Sequence, residues 1–261
     1  RYRMKSLAIL MTTVALTVVT IANILNIVYI PVSNTVLVMF WIASLLILII
    51  TILLKQFYKS KYKKENLENE KSPTLKENEY FYQAPVYLFD DMYIKLHGFT
   101  DTFWSLYFHN QFHKMLNACG MVWMHGLRVK SPENDILIRR IKVWSLRPYY
   151  AVFINNHKIG ILTMKSIFKG GIKQQAPYIF KSSHDEYIFH NAYLSKQTTI
   201  QKDQHNILVG NRSFLDLKTN AITKRRGEVH DIKVSECFEY PKLLWVALYI
   251  QIMNNHQTKE N

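Results

Sequence analysis

Residues Leu7–Leu54 contain two uncharged apolar stretches, Leu7–Ile30 and Thr35–Leu54, with only Pro31-Val32-Ser33-Asn34 between them. About 20 residues at about 1.5 Å rise cross the roughly 30 Å hydrocarbon layer, so each stretch is long enough to span as a helix. A four-residue connection permits only a tight reversal, which predicts an antiparallel transmembrane helical hairpin over residues 1–55 with both ends on one side. Arg1, Arg3 and Lys5 precede the first stretch; Lys55, Lys59, Lys61, Lys63 and Lys64 follow the second. The positive-inside rule then predicts a multi-pass cell-membrane protein with cytoplasmic N- and C-termini.

A secretory signal peptide is a poorer reading of the first stretch, because it is longer than a usual h-region, no small-residue cleavage site follows it, and a second span comes directly after. Buried core helices fit worse, since both stretches are apolar all round rather than along one stripe. Asn23 and Asn26, three positions apart, are expected to pack the hairpin through amide hydrogen bonds.

The excess of basic residues gives a net charge of +14. Residues 1–79 carry ten Lys/Arg against five Glu, and residues 80–261 carry twenty-three against fourteen acidic side chains. A basic domain held at the inner leaflet most naturally meets anionic phospholipid, at about 1 kcal/mol per well-placed cation. Nucleic acid is not expected, since no RNA- or DNA-binding motif accompanies the charge. Cys119 and Cys237 form neither a disulfide framework nor a metal pattern. Residues 56–79 read as a charged cytoplasmic linker, basic and aromatic at first, with Phe57, Tyr58 and Tyr62, then acidic and polar around Pro73.

From Tyr80 the pattern changes to short β-rich segments separated by turn residues. Candidate strands are Val86–Phe89, Phe103–Phe108, Met121–His125, Ile136–Trp144, Tyr149–Ile154, Lys158–Thr163, Tyr178–Lys181, Tyr187–His190, Thr198–Lys202, Asn206–Val209, Ser213–Leu217, Ala221–Lys224 and Val229–Val234. Hairpin turns are expected at Asn155-Asn156, Ser183-His184-Asp185 and Thr219-Asn220. Such a run of hairpins must close into a barrel or sandwich, because open edges invite aggregation. A short helix is expected at Asn110–Ala118. The apolar segment beginning at Pro241 is too short to span a bilayer and too uniformly apolar for a surface. Leu243, Leu244, Trp245, Val246, Leu248, Ile250 and Ile252 are therefore expected to lie inside the barrel as a central helix.

The hairpin YAVFINNHKIGILT, the segment NILVGNRSFLDLKTNAITKRRGEVHDIKV and the closing PKLLWVALYIQIM together resemble the tubby C-terminal-like superfamily, which includes the LURP-one-related proteins and the phospholipid scramblases. The resemblance covers about Tyr87 to Asn255. It implies a mainly β fold for residues 80–261, a closed antiparallel barrel of about 12 strands around a hydrophobic C-terminal helix, and a general expectation of membrane-surface or ligand binding. The two-pass N-terminal anchor departs from the scramblase arrangement, so scrambling does not carry over.

No catalytic motif is present. His109 and His113 share a helix face, but two ligands are not a metal site. Asp90-Asp91 and Asp185-Glu186 sit in turns, and Lys169-Gly170-Gly171 lacks the spacing of a phosphate loop. No cofactor is expected. The candidate anion- or lipid-binding residues are Lys224, Arg225 and Arg226, where arginine can bind phosphate bidentately, with Lys59, Lys61, Lys63 and Lys64 of the linker. The expected function is non-catalytic recognition of anionic lipid headgroups or a membrane-protein partner at the inner leaflet. The alternatives are a scramblase-like lipid-handling protein and an immunity or accessory protein for a toxin or secretion system.

Overall fold

The computed structural model describes residues 6–27, 31, 33–68, 74–85, 88, 92–118, 124–142, 145, 147–164, 178–191, 196–213, 227–235 and 239–256. Two compact units emerge, one helical and one built mainly from strands.

The helical unit contains α1 (Ser6–Ile24) and α2 (Asn34–Glu68). Thr13 bonds Ser44, the Trp41 indole donates to Thr17, and Asn23 donates to Asn34 at 2.7 Å, so partners descend along one helix as they ascend along the other. The pair is antiparallel, and Asn23 makes the interhelical amide bond expected of it. The first helix stops at Ile24 rather than Ile30. Asn26 takes a left-handed φ of 56°, while Ile27 N bonds Ala22 O and Asn26 N bonds Asn23 O, which closes the helix in a Schellman cap. Ser33 opens α2, its hydroxyl accepting from Val36 N.

Among the described residues no helix is long and apolar enough to cross a membrane. Within the expected linker, α2 continues unbroken through Glu68, so residues 56–68 are helical. That stretch holds no proline and is rich in Lys and Glu, which are good helix formers.

The second unit is mainly β. Its strands are β1 (Glu79–Pro85), β2 (Ile94–Lys95), β3 (Phe103–Tyr107), β4 (Gly126–Lys130), β5 (Asp135–Arg140), β6 (Tyr149–Ile154), β7 (His157–Met164), β8 (Tyr178–Ser182), β9 (Glu186–His190), β10 (Gln197–Lys202), β11 (His205–Arg212) and β12 (Gly227–Val234), with α3 (Gln111–Ala118) between β3 and β4. They form one sheet in the order β1-β12-β11-β10-β9-β8-β7-β6-β5-β4-β3-β2, antiparallel throughout. The two ends of that order meet at Phe81 and His97, which exchange backbone bonds of 3.1 and 2.8 Å, leaving a nearly closed barrel of twelve strands.

Local chemistry explains the hairpins. Asn155 and Asn156 both take positive φ, as a two-residue type I′ turn requires, and so do Asp203 and Gln204. Ser182 ties the Ser183–Asp185 turn by accepting from Asp185 N at 3.0 Å. The predicted turn at Thr219-Asn220 and the predicted strands Ser213–Leu217 and Ala221–Lys224 lie wholly or mostly outside the described residues.

The last helix, α4 (Lys242–His256), fills the barrel. Leu243, Leu244, Trp245, Val246, Leu248, Ile250 and Ile252 are all buried, as expected, and the helix packs on β4, β5, β11 and β12. Trp245 meets the rings of Tyr187 and Phe180, and Tyr249 meets His230 on β12. The pleat supplies the lining: in β5, Ile136, Ile138 and Arg140 are buried while the residues between them are half-buried.

Close strand approach depends on Gly126, where an added Cβ would lie 2.0 Å from the Ile138 carbonyl oxygen. Gly126→Ala is expected to destabilise the barrel by about 1–3 kcal/mol, because a neighbouring strand's backbone must give way. Urea unfolding of the full chain in detergent checks this, and an unchanged midpoint would contradict the packing.

Candidate functional site

Because the strands alternate in direction, the connections divide between two rims. At one rim the chain turns within 131–134, 155–156, 183–185 and 203–204. At the other, the described ends of β1 and β2, β3 and β4, β5 and β6, β7 and β8, β9 and β10, and β11 and β12 face their successive connections. Long connections on a rigid scaffold are where binding residues usually gather.

The interior changes character towards the same rim. Helix α4 is apolar from Leu243 to Ile250 and then carries Gln251, Asn254 and Asn255, all buried. Tyr150 donates to Asn255 Oδ1 at 3.1 Å, Gln251 Nε2 donates to the same oxygen at 3.0 Å, and Asn255 Nδ2 donates to the Tyr178 hydroxyl at 3.1 Å. Burial raises the pKa of both phenols, so they remain neutral hydroxyls that donate and accept rather than nucleophiles.

Arg140, at the end of β5, is 3% exposed. Its guanidinium donates to the carbonyls of Lys142, Ser145 and Arg147 and lies over the Tyr150 ring, 5.8 Å from its centroid. It organises the 141–148 connection from inside. Burial lowers its pKa, while the Tyr150 hydroxyl beside it favours the charged form.

A second cluster fixes α4 to the opposite wall. His230 Nδ1 lies 3.0 Å from the Tyr249 hydroxyl, and the Tyr82 ring stacks on His230 at 4.3 Å. Glu228 stands 3.7 Å from His230 and 4.0 Å from Arg212. Gly210 makes room for the Tyr249 ring, to which a Cβ would come within 2.3 Å. Burial raises the pKa of Tyr249 as well.

On the outer wall of β4–β6, cations pair with aromatic rings. Arg139 lies 5.0 Å from the Phe153 centroid and Lys142 lies 4.8 Å from that of Tyr149, while Arg128 is held by Asp135. Sequence reading missed this surface, because its members lie on neighbouring strands and meet only through the register.

The residues singled out from sequence fare differently. Lys224, Arg225 and Arg226 lie outside the described residues, in the segment between β11 and β12. Lys59, Lys61, Lys63 and Lys64 lie along α2, with side chains outside the described set. Asp90, Asp91, Lys169, Gly170, Gly171, Cys119 and Cys237 also fall outside it. Asp185 pairs with Lys202, which lowers its pKa, and Glu186 pairs with Lys181. His109 and His113 have ring centroids 5.8 Å apart, and no group of three metal-ligating side chains occurs among the described residues. Comparison with protein-family models, curated proteins and solved structures returned no match.

Proposed function

We propose that this protein is a membrane-anchored, non-catalytic binding module: a tubby-like barrel tethered by the α1–α2 hairpin beneath the inner leaflet, where it recognises anionic lipid headgroups or a membrane-protein partner. The supporting observation is the inverted polarity of the helical pair. Thr13 and Thr20 are buried, Thr13 and Thr17 bond the facing helix, and Met11, Val18, Ile21, Met39, Phe40 and Leu46 point outward. Phe40 is 62% exposed. A pair that faces its hydroxyls inward and its hydrocarbon outward suits an apolar solvent, and contiguous apolar surface of this kind is rare on a protein in water.

The basic excess of the barrel segment and its cation–aromatic outer wall support the headgroup half of the reading, since both suit a polar interface of negative potential.

The test uses the full chain. Alkaline carbonate should leave it in the membrane pellet. In nanodiscs, amide exchange of the barrel should be slower with phosphatidylserine present than with phosphatidylcholine alone, and the difference should shrink as salt is raised. Release by carbonate overturns the anchor. Equal exchange in both lipids overturns headgroup recognition and leaves the protein partner.

A further inference from the structure

The loop-bearing rim holds a buried histidine for which neither the barrel core nor the proposed membrane contact has a use. His113 is 4% exposed, and its position on the first turn of α3 is set by Asn110, whose side chain accepts from His113 N at 2.8 Å. Its Nδ1 is buried and bonds no described group. Two groups face it electrostatically, His109 from its own helix segment and Arg140 from β5. Both are cations or become so in acid. Arg140 is already committed to the carbonyls of Lys142, Ser145 and Arg147.

We infer that His113 is an acid-sensitive latch: neutral, it keeps the first turn of α3 in its buried seat, and on protonation it leaves that seat and frees the turn. The argument is one of solvation and charge. A proton on Nδ1 would create a buried N–H donor with no described acceptor, in a site that already contains a guanidinium. Burial, His109 and Arg140 all favour the neutral ring, so its pKa in the closed state lies below the ordinary 6.5. The open state takes up a proton more readily. The stability of the closed turn is therefore complete above about pH 6.5 and falls as pH drops below that value, tenfold for each unit by which the two pKa values differ. The segment that opens belongs to the 108–125 connection, which places the response on the rim where the long connections gather.

The experiment follows amide exchange at residues 108–114 of the full chain in detergent, corrected for the intrinsic effect of pH, between pH 7.5 and 5.0. Protection is expected to fall on acidification, tenfold for each unit that separates the two pKa values, while β6 and β7 stay protected. His113→Gln, which cannot be protonated, should flatten the response; His113→Lys should leave the turn open at both pH values. His109→Gln should move the midpoint upward, because one repulsive charge is gone. Titration of the His113 ring by NMR in the unaltered protein tests the same claim without any variant and should give a midpoint below 6.5. A midpoint above 6.5, equal corrected protection at both pH values, or a response retained in His113→Gln would each overturn the latch. None of these outcomes depends on the membrane, so the latch and the membrane anchor fail separately.

Discussion

Replacing Trp245 by alanine is expected to destabilise the barrel by about 3–5 kcal/mol, the range for deleting a large aromatic from a packed core. The side chain is fully buried on α4 and meets Tyr187, Phe180 and Tyr240 at centroid distances of 4.6, 6.2 and 6.0 Å. No neighbour can collapse into the space without moving the wall, because Phe180 and Tyr187 are anchored on separate strands and Tyr187 is also bonded to Glu239. The measurement is a urea or thermal unfolding curve of the full chain in detergent, read by near-ultraviolet circular dichroism. Lys181→Ala, on an exposed side chain paired only with Glu186, serves as the comparison and should change stability by less than about 0.5 kcal/mol. A Trp245→Ala loss below about 1 kcal/mol would mean that the helix is not enclosed.

The second large effect is expected in the helical pair. Ile42 and Leu46 are one turn apart and both exposed. In water, exchanging them for lysine would be neutral or helpful to solubility. In a bilayer, each lysine near the helix centre is opposed by about 3 kcal/mol, so the Ile42→Lys, Leu46→Lys double variant should lose about 6 kcal/mol of insertion free energy. The double variant is expected to shift from the carbonate-resistant pellet to the supernatant, whereas Ile42→Ala, Leu46→Ala should stay with the membrane. A lysine variant that remains in the pellet like the parent would sink the transmembrane reading.

Much of the wall could be read from local pattern, because hairpin chemistry is local. Asn155-Asn156 specifies positive φ twice, and strands β6 to β10 fall within a residue or two of their expected positions. The central helix was readable too, since the run from Leu243 to Ile250, apolar on every face, has nowhere to go but inside. What escaped was what depends on register. Glu79–Pro85 was not expected as a strand, because six consecutive residues are buried and no alternation marks it. Its partner is β12, far along the chain, and no local signal announces that pairing. Ile94–Lys95 is too short to show any periodicity. Hydropathy continues past Ile24 through Leu25 and Ile27, while the left-handed Asn26 ends the helix by backbone geometry.

The polar rim was the least readable part. Arg140, Tyr150, Tyr178, His230 and Tyr249 come from five different elements, and each alone reads as an ordinary strand or helix residue. The one local hint was the change in α4 from hydrocarbon to Gln251, Asn254 and Asn255. Sequence reading instead followed the densest run of positive charge, at Lys224–Arg226, whereas Arg139 on β5 and Lys142 just after it meet the aromatic rings of β6 singly.

The seam between β1 and β12 has a consequence for how the molecule is made. Tyr80 pairs with Ile232 and Pro85 with Gly227, so the first strand of the sheet waits for the last before it gains its ladder partner. The helix that lines the interior is synthesised later still. A nascent chain emerging from the ribosome therefore passes through a stage with two bare edges and an unfilled hollow, and contacts so distant along the chain assemble slowly. Chaperone dependence and a slow refolding phase sensitive to changes in Gly227–Val234 are the corresponding signatures.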